Sequence, residues 1–248
     1  CILSRGLGDV YKRQALVAPK YQGHTYIAYL QSFTNTYGNT HRLLDIYDQI
    51  LADPRIKGLA IGTRPDSVPN DMINALVSRS KIKPIWIELG LQTIHETSAK
   101  FINRCYPLSV FDDAVHRLHN KGIPVIVHLI AGLPTETDEE FFESVTHLNQ
   151  LPISGIKFHL LHVLKGTALA DYYELHPFSL PSLDSYSTLI AQSISLLSPN
   201  IVIHRLTGDG PKELMIAPTW SMDKRRVLNT IHQKLKTKKL WQGKNFPL

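Results

Sequence analysis

Residues 125–137 read Val125-Ile126-Val127-His128-Leu129-Ile130-Ala131-Gly132-Leu133-Pro134-Thr135-Glu136-Thr137. The first seven are apolar apart from His128 and are closed by a Gly-Leu-Pro turn, which fits a buried strand better than a helix. Thr137 then stands three residues before Glu140, the pairing that caps a helix start. Phe141, Phe142, Val145 and Leu148 follow at helical spacing. A buried strand feeding an amphipathic helix is a βα unit.

The same rhythm extends in both directions. Apolar runs recur at residues 26–30, 58–61, 85–89, 155–160 and 201–204, so six strands are expected in all. Between them Leu43, Leu44, Tyr47, Ile50 and Leu51 form one helical face, and Phe111, Ala114, Val115 and Leu118 another. Ser109 with Asp112 predicts a second capped start, and Asp53-Pro54 and Asn120-Lys121-Gly122 predict stops. A doubly wound nucleotide fold would carry a glycine-rich first βα turn, and none is present. In a barrel, function gathers at the C-terminal strand ends. Polar residues collect there: Gln31, Thr34 and Asn35, then Arg64 and Asp66, Glu88 and Gln92, His128, His159 and His162, and His204 with Arg205. The expected fold class is α/β, a partial barrel.

The chain of 248 residues is 43% apolar, enough for a sizeable core. No apolar run approaches the roughly 20 residues of a membrane span, so no membrane partner is expected. Cys1 and Cys105 have neither metal-ligand spacing nor a disulfide framework, which points to a reducing, cytoplasmic setting. Residues 221–248 hold eight Lys or Arg against one Asp, whereas the whole chain carries a net charge of +6. Such a tail suits RNA phosphates, or is a solvated helix face. Residues 1–14, CILSRGLGDVYKRQ, show no steady period and resemble translated adapter sequence from metagenomic assembly; they are set aside as an artefact or a disordered end.

Two segments carry a resemblance: Glu88-Leu89-Gly90-Leu91-Gln92-Thr93 and the stretch from His128 to Thr137. They resemble the matching strands of radical S-adenosylmethionine (SAM) enzymes, in the branch of the oxygen-independent coproporphyrinogen oxidases and the elongator catalytic subunit. A bacterial subfamily of that branch is similar also at Leu30-Gln31-Ser32-Phe33-Thr34-Asn35-Thr36-Tyr37, Ile61-Gly62-Thr63-Arg64-Pro65-Asp66, Lys165-Gly166-Thr167 and His204-Arg205-Leu206-Thr207-Gly208. The resemblance runs from about residue 26 to about residue 240.

It implies a (β/α)6 radical SAM barrel missing its first strand over residues 15–166, and a small C-terminal α/β extension over residues 167–248 with a last strand and a basic helix. It implies SAM and a 4Fe-4S cluster as cofactors, reductive formation of a 5′-deoxyadenosyl radical, an electron donor such as flavodoxin or ferredoxin, and tRNA or another RNA as substrate class. Gln92 is then the ribose contact, an amide suited to a diol. Arg104 is expected against the cofactor, or else in a surface ion pair. Ile130 is expected on the adenine, or in plain core packing. His128 is a further ribose candidate, and His162 offers backbone to adenine. Glu88 is a buried acid that needs a partner such as Arg64, or a function. Gln31, Thr34 and Tyr37 sit where relatives bind the methionyl amine, although their Gly-Gly-Glu segment is absent.

The superfamily's Cys-x3-Cys-x2-Cys loop is missing, and two cysteines cannot replace three thiolates. The sequence reading is therefore a fragment that lost this loop upstream and is inactive as it stands, with no catalytic side chain and no metal ligand of its own. Two rivals remain. His128, His159, His162 and His204 could bind zinc in a barrel hydrolase. A non-catalytic module could bind tRNA or a protein through the basic tail.

Overall fold

The computed structural model describes residues 23–208 and 210–246, so the 1–14 segment lies outside the described residues. In chain order the elements are β1 (Tyr26–Leu30), α1 (Thr40–Ala52), β2 (Ile56–Thr63), α2 (Asn70–Ser80), β3 (Ile85–Gln92), α3 (Glu96–Phe101), α4 (Leu108–Asn120) and β4 (Val125–Ala131). They continue as α5 (Asp138–Leu148), β5 (Gly155–Leu160), β6 (Val163–Leu164), α6 (Ala168–Leu175), α7 (Leu183–Leu196), β7 (Val202–Arg205), β8 (Met215–Ala217) and α8 (Lys224–Thr237). Six strands form one sheet in the order β1-β2-β3-β4-β5-β7. The pairs β1 with β2, β2 with β3, and β5 with β7 are parallel. This order follows the chain without reversing, as in a barrel, whereas a doubly wound sheet reverses at a switch point. The α/β partial-barrel reading is therefore the observed fold.

The chain divides into two compact units, residues 1–90 with 109–127 and residues 91–108 with 128–248. In the first, α1 buries Leu43, Tyr47, Ile50 and Leu51, the face expected from spacing. Asn39 caps it, accepting from the Arg42 N–H at 3.1 Å. The Tyr47 hydroxyl donates to the Asn35 carbonyl, and burial pushes the phenol far above its ordinary range. Asn35 in turn donates from Nδ2 to the carbonyls of Leu30 at 2.9 Å and Gly62 at 2.8 Å, which pins the turn after β1. Helix α4 buries Phe111, Ala114, Val115 and Leu118, and its stop at Gly122 has φ 72° as a helix-ending glycine requires. Its start differs from expectation: the helix begins one residue before Ser109, and the Leu108 N–H is accepted by Glu96 Oε1 at 3.3 Å.

In the second unit Thr137 and Glu140 form the expected capping box, with the Glu140 N–H donating to Thr137 Oγ1 at 3.2 Å and the Thr137 N–H to Glu140 Oε2 at 2.8 Å. Helix α7 buries Tyr186, Leu189, Ile190 and Ile194. Helix α8 buries Val227 and Ile231 and turns its cations outward, except that Lys234 reaches Asp184 on α7 at 2.5 Å. Strand β7, the sixth of the expected strands, pairs with β5 in the main sheet. One feature went unexpected. Strands β6 and β8 form a separate antiparallel pair, too short to leave a period in the sequence. Among the described residues no helix is long and apolar enough to cross a membrane.

Candidate functional site

The second unit carries most of the expected site residues. Strand β3 ends on Gln92, a non-glycine residue with φ 72°. Residues held there cost on the order of 1–3 kcal/mol unless their surroundings impose the conformation. The surroundings are specific. Thr93, next in the chain, is fully buried. Its hydroxyl donates to Glu136 Oε1 at 2.5 Å and accepts from the His95 N–H at 3.0 Å. Its carbonyl accepts from Arg104 Nη1 at 2.5 Å. Gln92 itself is half-buried, and its side-chain amide makes no hydrogen bond among the described residues.

The Arg104 side chain is 2% exposed, and it forms an ion pair with Glu96, which is 54% exposed. Besides Thr93 it donates from Nε to the Tyr106 carbonyl at 3.0 Å and from Nη2 to Glu96 Oε1 at 2.9 Å. Asn103 and Cys105 on either side have φ 55° and 62°. The turn after β4 is stitched to the same region. Ser98 Oγ donates to the Thr135 carbonyl at 3.3 Å and accepts from Thr135 Oγ1 at 2.9 Å, and His95 Nε2 meets the Glu140 carbonyl at 2.8 Å. Glu136 Oε2 is buried with no hydrogen-bond partner among the described residues. Burial raises the Glu136 carboxyl to about 7, against the lowering effect of the Thr93 hydroxyl and of nearby His95. Neither Thr93 nor Glu136 was singled out from sequence. A Thr after a strand and a Glu before a helix are ordinary neighbours, and nothing in one chain tells that they meet 43 residues apart.

On β4, Ile130 is left half-buried between Leu129 and Ala131, which are fully buried, so one apolar side chain on this strand end keeps an open face. Gly132 follows with φ 83°, and a Cβ there would stand 2.9 Å from Pro181 Cδ. The rings of His128 and His159 lie 4.9 Å apart, so the ends of β4 and β5 bring them together. The His204 ring occupies the space where a Cβ on Gly155 would sit, 2.6 Å away. His162 packs under the turn at Gly208, whose Cβ would meet its ring at 2.9 Å.

In the first unit Glu88 is 3% exposed. It accepts from the Tyr29 hydroxyl at 2.5 Å and from Trp86 Nε1 at 3.3 Å. Arg64, suggested as its partner, has Asp66 at 2.7 Å. Gln31 is exposed after β1.

These residues suit the two implied cofactors unequally. An uncommitted amide on Gln92 and an open apolar face on Ile130 are what a ribose diol and an adenine need. An iron-sulfur cluster finds no such set. Cys105 is the one cysteine among the described residues; it is exposed, with Sγ toward Asn103 Oδ1 at 2.9 Å. Among the described residues no three His, Cys, Asp or Glu side chains come together to hold a metal ion. Elsewhere in the second unit, an open cleft of about 740 Å³ is lined by Lys212, Lys224 and Arg226 together with Asp223 and Trp220.

Comparison with known proteins accords with this geometry. The Radical SAM superfamily pattern matches residues 9–148, and the Radical_SAM C-terminal domain matches residues 153–237. The chain belongs to the radical SAM superfamily. It is 39% identical to the protein YtqA of Bacillus subtilis over 227 residues, covering 92% of this chain and 70% of YtqA. It is 31% identical to the protein YhcC of Escherichia coli over 196 residues, covering 79% of this chain and 63% of YhcC. Among solved structures, the archaeal Methanocaldococcus infernus Elp3 with an N-terminal deletion shares the fold at a TM-score of 0.67 and 19% identity, over 83% of this chain and 47% of Elp3.

Proposed function

We propose that this chain is the SAM-binding part of a radical SAM enzyme, with the adenosyl group held at the C-terminal ends of its strands. The observation that carries the reading is Gln92: in a chain of this superfamily, an amide with no hydrogen-bond partner among the described residues stands at a strand end in a conformation its neighbours enforce. Gln92 meets the ribose hydroxyls, with His128 as a second ribose contact. Ile130 lies on the adenine and His162 offers it backbone. When bound with a reduced 4Fe-4S cluster, SAM supplies the 5′-deoxyadenosyl radical for hydrogen abstraction. The thiolates for that cluster have to come from polypeptide outside these 248 residues, because two cysteines are too few. An electron donor of the flavodoxin or ferredoxin kind and a reducing cytoplasm complete the reading, and RNA is the substrate class it favours.

The test compares the 248-residue chain with the same chain extended to the length of YtqA. Both are reconstituted anaerobically with iron and sulfide, then given dithionite and SAM. The extended protein is expected to release 5′-deoxyadenosine and the shorter chain none. An extended protein that takes up a cluster and leaves SAM intact would remove the catalytic reading.

One observation favours a second reading, a non-catalytic module that binds RNA. Residues 224–246 contain eight Lys or Arg and no carboxylate, and the cleft at Lys212, Lys224 and Arg226 opens beside them. Trp220 adds an aromatic surface there. RNA binding by a protein whose extended form never cleaves SAM would favour the module.

A further inference from the structure

Among the described residues no side-chain hydrogen bond fixes Gln92, yet it sits in a backbone region that L side chains avoid. What fixes it is the residue after it. The Thr93 hydroxyl is held by the half-buried Glu136 and the Thr93 carbonyl by the buried Arg104, both from other turns of the second unit. Three donors of Arg104 are spent on Thr93, Tyr106 and Glu96. Three of the five guanidinium N–H groups thus go to protein acceptors, and the side chain is 2% exposed.

We infer that Glu136, Thr93 and Arg104 form a brace of positioning residues that holds Gln92 at the angle from which its amide meets the ribose, and that Arg104 acts through the Thr93 carbonyl without touching the cofactor. The inference rests on the reading that Gln92 is the ribose contact. The Glu136 carboxyl suits this role because a neutral acid can stay buried while one oxygen accepts from Thr93. The second oxygen is buried without a hydrogen-bond partner among the described residues, so the Thr93 hydroxyl is the contact that orients the carboxyl.

The experiment is a double-mutant cycle on SAM affinity, measured by isothermal titration of the 248-residue chain. The variants are Gln92→Ala, Glu136→Ala and the pair, with Thr93→Val breaking the same contact from its other side and Glu136→Gln restoring an acceptor. Each single loss should weaken SAM binding by about tenfold, the effect of one lost hydrogen bond to a ligand. If Glu136 acts through Gln92, the pair binds within about twofold of Gln92→Ala, and Glu136→Gln within about threefold of wild type. A merely structural role would instead multiply the two losses in the pair. That result, or Glu136→Ala and Thr93→Val binding like wild type, overturns the brace and leaves the SAM reading intact. A wild-type chain that binds no SAM overturns the reading itself and the brace with it. Should Glu136→Ala fail to fold, the cycle is run with Thr93→Val in its place.

Discussion

Glu136 is a half-buried acid whose carboxyl is pushed up to about 7 by desolvation, so its protonation changes across the physiological range. The sign follows from linkage. The folded value lies above the unfolded one, so between about pH 4.5 and pH 7 the folded state keeps a proton that the unfolded state has released. Stability from this group is therefore full below the unfolded value and lost as pH rises through 7. His95 favours the charged form and Glu140 opposes it, both smaller than burial. The loss is on the order of 2–3 kcal/mol. Glu136→Gln cannot titrate and keeps an acceptor for Thr93. Thermal unfolding should show the two proteins alike near pH 5 and Glu136→Gln the more stable near pH 8. Parallel pH profiles would show that Glu136 is not the titrating group. Gln92, Ile130 and His128 could be named from strand-end position and resemblance. Glu136 and Thr93 could not, because their importance lies in a contact between turns that no local pattern encodes.

At the scale of elements, the sequence carries much because burial imposes period. The 26–30 and 155–160 strands fall where their apolar runs lie, and α1, α4 and α5 bury the faces their spacing marked, except that Leu44 and Phe142 stay half-buried. Strand β3 runs beyond its expected end at residue 89 through Gln92, since Leu91 is buried and the ladder continues where the mixed composition hid it. Helix α4 starts on Leu108 because the Glu96 carboxylate from another helix supplies the acceptor that Ser109 was expected to provide. Helix α5, by contrast, is capped by its own residues. Thr137→Ala removes one of two reciprocal bonds and frees the other, and should lower stability by about 1 kcal/mol. Chemical denaturation tests this, with an unchanged midpoint as the contrary result. Asn35→Ala strips the carbonyls of Leu30 and Gly62 of their shared donor and should cost about 1–3 kcal/mol. A loss below 0.5 kcal/mol would mean that water replaces the amide.

For the molecule as a whole, membership of the radical SAM superfamily and the chain-ordered sheet rest on different grounds and agree. The basic surface of α8 and its cleft carry a separate expectation: single-stranded RNA should bind with an affinity that falls steeply between 50 and 200 mM salt, roughly in proportion to the phosphates neutralised. Arg226→Glu with Lys212→Glu should weaken it at least about tenfold without altering SAM affinity. Salt-independent binding would point to another surface. The proposal that the strand ends of this chain hold the adenosyl group of SAM is tested most directly by a crystal structure of the chain grown with SAM. Ribose density is expected within hydrogen-bonding distance of the Gln92 amide and adenine against Ile130, with Arg104 still bound to the Thr93 carbonyl. SAM lodged elsewhere, or a Gln92 amide turned away from a bound ribose, would contradict it.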